Sequence, residues 1–205
     1  MKNATMSLLV LATLCTGCQQ SVRLDWKAPT PAASLTPVYV GDLSADKRQW
    51  VVYNKPVGES IGNHTFTVFA IPVGNINAHP STPLKSSFDR AVRDALKAAG
   101  YDPRPASEAP AGTPILTADI RQCCFWSYMY FWPVIVQGGE VKVAMRVQRP
   151  DGTVAWQDQY KRNAPGLAVV GSFGFDWMVK DAMTKMVSDI SKGCSGEEFR
   201  RAVTQ

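Results

Sequence analysis

Histidine is nearly missing from this chain: His64 and His79 are the only two in 205 residues. A Ser-His-Asp hydrolase would have to use one of them as its base. The sequence has no G-x-S-x-G elbow, and Gly171-Ser172-Phe173-Gly174 lacks the spacing of one. No Gly-rich phosphate loop occurs, and no His/Cys spacing suits zinc. Beyond the amino-terminal Cys15 and Cys18, the neighbours Cys123 and Cys124 and the distant Cys194 make no Cys-x-x-Cys redox pair. Asp42, Asp46, Asp119 and Asp158 lack the apolar setting that would raise one carboxyl of a general acid–base pair, so they read as surface acids. No catalytic residue, no metal ligand set and no cofactor is therefore expected. Long apolar runs are also lacking. The stretch from Ala4 to Leu14 is shorter than the roughly 20 residues a permanent membrane helix needs.

What is present is moderate. The apolar share is 45%, enough for a packed core in one ordinary domain. The formal charge of +5 is mildly basic. It fits an ordinary basic surface and is compatible with anionic lipid or acidic glycan as a partner. No basic helix or aromatic RNA-binding motif appears, so nucleic acid is not an expected partner.

The amino terminus carries the clearest signal. Lys2 is followed by the apolar run, then by Cys15-Thr16-Gly17-Cys18 and Gln19-Gln20. A cationic start, a short apolar core and small residues before a cleavage point make a secretory signal peptide. Thr16-Gly17 before Cys18 resembles the lipobox of bacterial prolipoproteins, with Cys15 at the position three before the cysteine, where Leu is usual. The resemblance implies cleavage of residues 1–17, a diacylglyceryl group on Cys18 and acylation, as by palmitate, of the new terminus. The covalent lipid is then the membrane anchor. Gln19 after that cysteine resembles lipoproteins sorted to the outer membrane of Gram-negative bacteria, which implies a place in the envelope facing the periplasm.

Residues 18–36, with Pro29 and Pro31, read as a lipidated tether that is extended or lies along the domain. Residues 37–194 read as the domain and 195–205 as a polar, fraying tail. Val38–Val40 and Trp50–Tyr53 are short strand candidates, with loop punctuation at 55–63. Thr65–Val73 is apolar on both faces toward its end, as a central strand is. Thr82 suits a helix N-cap and Pro83 the first helical position. Leu84, Phe88, Ala91, Val92, Ala95, Leu96 and Ala99 form one stripe, and Gly100 a left-handed stop. Pro114–Cys124 alternates as a strand, Gln137-Gly138-Gly139 reads as a break, and 140–148 with 153–160 reads as a hairpin. Asp176–Lys192 is a second amphipathic helix, ended by Gly193. This order predicts an α+β two-layer sandwich: a mostly antiparallel or mixed sheet with two helices on one face. In layout it is similar to small domains of envelope-assembly and export lipoproteins, a likeness that transfers no site residues.

In an oxidising compartment the three remaining cysteines allow one bridge. Strict alternation puts Cys124 on the face of Leu116, Ala118 and Ile120, so Cys124–Cys194 is the expected disulfide. It would close a loop of about 70 residues and be worth roughly 4 kcal/mol. Aromatics then crowd one block: Phe125, Trp126, Tyr128, Tyr130, Phe131 and Trp132. The block reads as a sheet-edge strand or capping loop, or else as a contact surface. With Arg121, Lys142 and Arg146 nearby, it is the candidate partner-binding region. The expected function is a non-enzymatic anchored lipoprotein that binds an envelope protein in assembly, export or maintenance. The alternative is a module for an amphiphile or a glycan, and a hydrolase ranks below both.

Overall fold

The computed structural model describes residues 20–33, 35–45, 48, 58–66, 71–131, 134–164, 166–169 and 175–204. The segment expected to be a signal peptide, Cys18, the strand expected at Trp50–Tyr53 and Trp132 lie outside them.

A long hairpin is the spine. β6 (Ile115–Phe131) and β7 (Val134–Gln148) pair antiparallel over almost their whole lengths. Each then serves two shorter strands on its outer side. β2 (Thr36–Val40) runs parallel to the start of β6, and β3 (Ser60–Phe66) parallel to its end. β8 (Val154–Asn163) and β9 (Gly166–Val169) divide β7 in the same way. β5 (Tyr101–Pro105) extends the sheet beyond β2, and β4 (Ile71–Ala78) with β1 (Gln20–Val22) extends it beyond β3. Among the described residues these nine strands form one mixed sheet. With the helices packed against it, the chain is an α+β two-layer sandwich, as the element order predicted.

Among the described residues three helices cover one face: α1 (Leu84–Ala98), α2 (Phe175–Cys194) and α3 (Glu197–Thr204). The predicted stripe of α1 is buried from Leu84 to Leu96, and Gly100 takes a φ of 96°, where a Cβ would be strained. Val179, Met183, Met186, Val187 and Ile190 of α2 are all fully buried.

Several local expectations change. The segment 20–36 is no free tether: β1 pairs with β4, and Val22 and Leu24 enter the core, a burial worth about 1.5–3 kcal/mol each. The Trp26 indole donates to Asp94 at 3.2 Å, and the Ala32 N–H donates to the Lys97 carbonyl at 3.0 Å. Thr82 is not the cap of α1. Its hydroxyl accepts the Leu24 N–H at 3.0 Å, while Glu59 reaches in to accept the Leu84 N–H at 2.6 Å. The single strand expected at 65–73 is instead the meeting of β3 and β4, in register at Thr65 and Pro72, and β3 takes up residues expected as loop. Gly193 does not end α2. A Cβ there would collide with the Tyr160 hydroxyl, so the glycine is a spacing device within the helix. Finally, the tail after 195 forms α3, whose buried Phe199 meets Tyr101 and Trp156 edge-on at 5.2 and 4.7 Å.

The break expected at Gly138-Gly139 is also missing, because β7 runs straight through. Gly139 pairs with Phe125 and Gly138 with Trp126, and each ring occupies the space a Cβ would take. The glycines let two aromatics lie flat across the strand on opposite faces.

Candidate functional site: the outer face of the hairpin sheet

The placement of the candidate residues turns on one bulge. Ile120 pairs with Val143 but Gln122 pairs with Lys142, so Arg121 is an extra residue in β6. Before it, Leu116, Ala118 and Ile120 face the helices. After it the parity reverses, and Cys123 and Phe125 face the core while Cys124, Trp126 and Tyr128 face the other side. The alternation rule fails here because one residue was inserted.

This reversal removes the expected Cys124–Cys194 disulfide. No bridge joins them, and Cys123 and Cys194 are buried free thiols. Burial pushes the Cys123 thiol well up, and the adjoining Cys124 adds to it. Burial raises the Cys194 thiol as well, with the Asp158 carboxylate as a second cause. The Tyr160 hydroxyl, raised by burial and then by Cys194 and Asp158, has no hydrogen bond of normal geometry. Neither Cys123 nor Cys194 has the electropositive, exposed setting of a reactive thiolate.

The aromatic block divides. Phe125 is core. Trp126 and Tyr128 are half-buried on the outer face, their rings tilted 45° at 4.9 Å. The side chains of Tyr130, Phe131 and Trp132 lie outside the described set. Further along the same face stand the three predicted cations. Arg121 pairs with Asp119 at 3.0 Å. The Arg146 Nε donates to the Thr117 hydroxyl at 3.1 Å. Lys142 stands beside Arg121 in the lining of a shallow cleft of about 550 Å³, completed by Ala144 of β7 and by Gln157 and Gln159 of β8. The sheet thus brings Arg121, Lys142 and Arg146 together, with Trp126 and Tyr128 farther along the same outer surface. The two glutamines went unnoticed in the sequence, where only the alternation of β8 marked them.

Both histidines meet a serine. His64 Nδ1 is 2.6 Å from the Ser127 hydroxyl, across the β3–β6 pairing. His79 Nδ1 is 2.7 Å from the Ser81 hydroxyl, two residues on in an exposed turn. Burial lowers the His64 pKa, which suits a neutral core imidazole. With His64 6% and Ser127 4% exposed, a substrate carbonyl has no approach to the hydroxyl. Among the described residues no group of His, Cys, Asp and Glu could hold a metal ion, and no helix is long and apolar enough to cross a membrane.

No protein-family model matches the sequence, and comparison with curated proteins gives no match. Solved structures with a similar course include a Xanthomonas campestris protein of the family DUF330, at TM-score 0.46 and 13% identity, covering 93% of this chain and 100% of that one. A protein described as a homologue of a neuraminyllactose-binding hemagglutinin, from Helicobacter pylori, has TM-score 0.40 and 10% identity over 88% of this chain and 97% of that one. A protein described as a lipoprotein, from Caulobacter crescentus, has TM-score 0.32 and 8% identity over 57% of this chain and 80% of that one. Likeness at this level carries no site, ligand or activity to this chain.

Proposed function

We propose that this chain is a non-enzymatic lipoprotein, anchored through Cys18 to the periplasmic side of the outer membrane, that binds a protein partner in envelope assembly, export or maintenance. The observation that carries the reading is the sheet's division of labour. The helices occupy one face, while the other presents the half-buried pair Trp126–Tyr128 and the row of Arg121, Lys142 and Arg146. Aromatic and arginine side chains on the face turned away from the helices suit protein recognition. The lipid would confine the domain to a surface and raise its effective concentration near partners there. The burial of the His64–Ser127 pair supports a binding role over a hydrolytic one.

The test is made in cells. A photocrosslinker placed at Tyr128 is expected to capture one envelope protein, and Trp126→Ala to reduce that capture. Cys18→Ser is expected to abolish lipid labelling and membrane association. Persistent lipid labelling in that variant, or capture insensitive to Trp126→Ala, would overturn the anchor or the contact respectively.

A further inference from the structure

Ala144 sits on the outer face of β7 between Lys142 and Arg146, with Asp119 of β6 and Gln159 of β8 opposite it. Its short side chain floors the 550 Å³ cleft. The groups around that floor are unequally committed. Asp119 is neutralised by Arg121 at 3.0 Å. Arg146 spends only its Nε, on Thr117, and keeps its two terminal amino groups. Among the described residues Lys142 has no ion-pair partner, and the Gln157 and Gln159 side-chain amides make no hydrogen bond. The other carboxylate in the lining, Asp158, pairs with the core residue Met145 and so belongs to the helix side of the sheet.

The uncommitted groups are therefore two cations and two amides. The cations favour a carboxylate or phosphate. A primary amide donates and accepts at once, as a sugar hydroxyl requires. Lys142 and Arg146 are about 14 Å apart along the strand at ~3.4 Å per residue, too far for one small anion and suited to a short chain. We propose that the Ala144 cleft binds an acidic oligosaccharide, its charged group held by Lys142 and Arg146 and its hydroxyls by Gln157 and Gln159. The cleft shares Lys142 and Arg146 with the cation row of the protein contact proposed above, but its Ala144 floor lies about 20 Å along β7 from Gly138, where Trp126 packs, and that contact is tested at Trp126 and Tyr128. The failure of either leaves the other standing.

The experiment uses the full chain in detergent and fluorescent oligogalacturonate as the probe, read by anisotropy. Binding is expected, weakening as salt rises. Lys142→Gln and Arg146→Gln should each weaken it by about tenfold, the loss of one charge-assisted hydrogen bond. Ala144→Trp should abolish it with thermal unfolding unchanged. If the tryptophan perturbs the fold, the two glutamine variants, being at exposed or half-exposed positions, still decide the matter. Competition by a delipidated, phosphorylated core oligosaccharide would place the ligand on a glycolipid; competition by oligogalacturonate alone would place it on a free acidic polysaccharide. Both support the site. Absence of binding, unchanged affinity in the double glutamine variant, or equal displacement by inorganic phosphate would overturn it.

Discussion

His64 and Ser127 stand directly opposite each other on β3 and β6, with Nδ1 2.6 Å from the hydroxyl oxygen. The next position in that row is Gln137 on β7, 1% exposed, whose amide nitrogen and oxygen both lack partners. The row faces the helices, since His64 also meets the buried Phe175 ring of α2 at 5.7 Å.

Stability should respond to pH through this histidine. Its folded pKa is lowered from 6.5 by burial. Between the folded value and 6.5 the unfolded chain binds more protons, so stability rises with pH across that window. The contribution is complete above 6.5 and is lost as pH falls through the folded value. Urea midpoints measured from pH 8 to pH 5 should fall on acidification, and His64→Gln should flatten the part of the curve below 6.5. Parallel curves for the two proteins would reject this assignment.

Two glycine substitutions separate close approach from backbone strain. At Gly62 an added Cβ would collide with the backbone of Phe125 on the neighbouring strand, which cannot swing aside. Gly62→Ala should cost at least about 2 kcal/mol. At Gly112, with φ +87°, the surroundings are open and only the conformation resists. Gly112→Ala should cost about 1 kcal/mol. Equal losses in urea denaturation would contradict the distinction.

The start of α1 depends on a residue 25 positions away. Glu59→Ala should cost about 1 kcal/mol, the usual loss of a cap, although Glu59 lies outside the helix. Thr82→Val should cost a similar amount for a different reason, because it strands the buried Leu24 N–H. Proteolysis near residue 24 should accelerate in Thr82→Val and not in Glu59→Ala.

Thiol chemistry should be slow in the native protein. Cys123 and Cys194 are buried with raised pKa values, so iodoacetamide at neutral pH should label them only after denaturation. Rapid native labelling at either position, or a bridge to Cys194 in non-reducing peptide maps, would refute this placement.

Much of the architecture was legible because it rests on local periodicity. The α1 stripe, the Gly100 stop, the α2 stripe and the alternation of Glu140–Gln148 are all short-range patterns that the structure keeps. The losses share another cause: each depends on a distant neighbour. The Phe125 and Trp126 rings explain why Gly139 and Gly138 lie inside a strand, Tyr160 why Gly193 lies inside a helix, and Trp156 with Tyr101 why Phe199 orders the last helix. Nothing within a few residues of any of these predicts the contact.

The candidate site divides in the same way. Composition alone marked Arg121, Lys142, Arg146 and the aromatics as unusual, because residue types and crude proximity are visible in one dimension. Which of them share a surface was decided by the single-residue bulge at Arg121, which turns Cys123 inward and Trp126 outward. A period-two rule carries no memory of an insertion that only cross-strand hydrogen bonding reveals. The lipobox-like segment at Cys18 is the opposite case, a linear signal that needs no fold to be read. The sequence by itself therefore determined the expected anchor, the fold class and the absence of a catalytic motif. The tertiary structure decided where the chain presents Ala144 and the free groups around it, because a cleft exists only once three strands lie side by side.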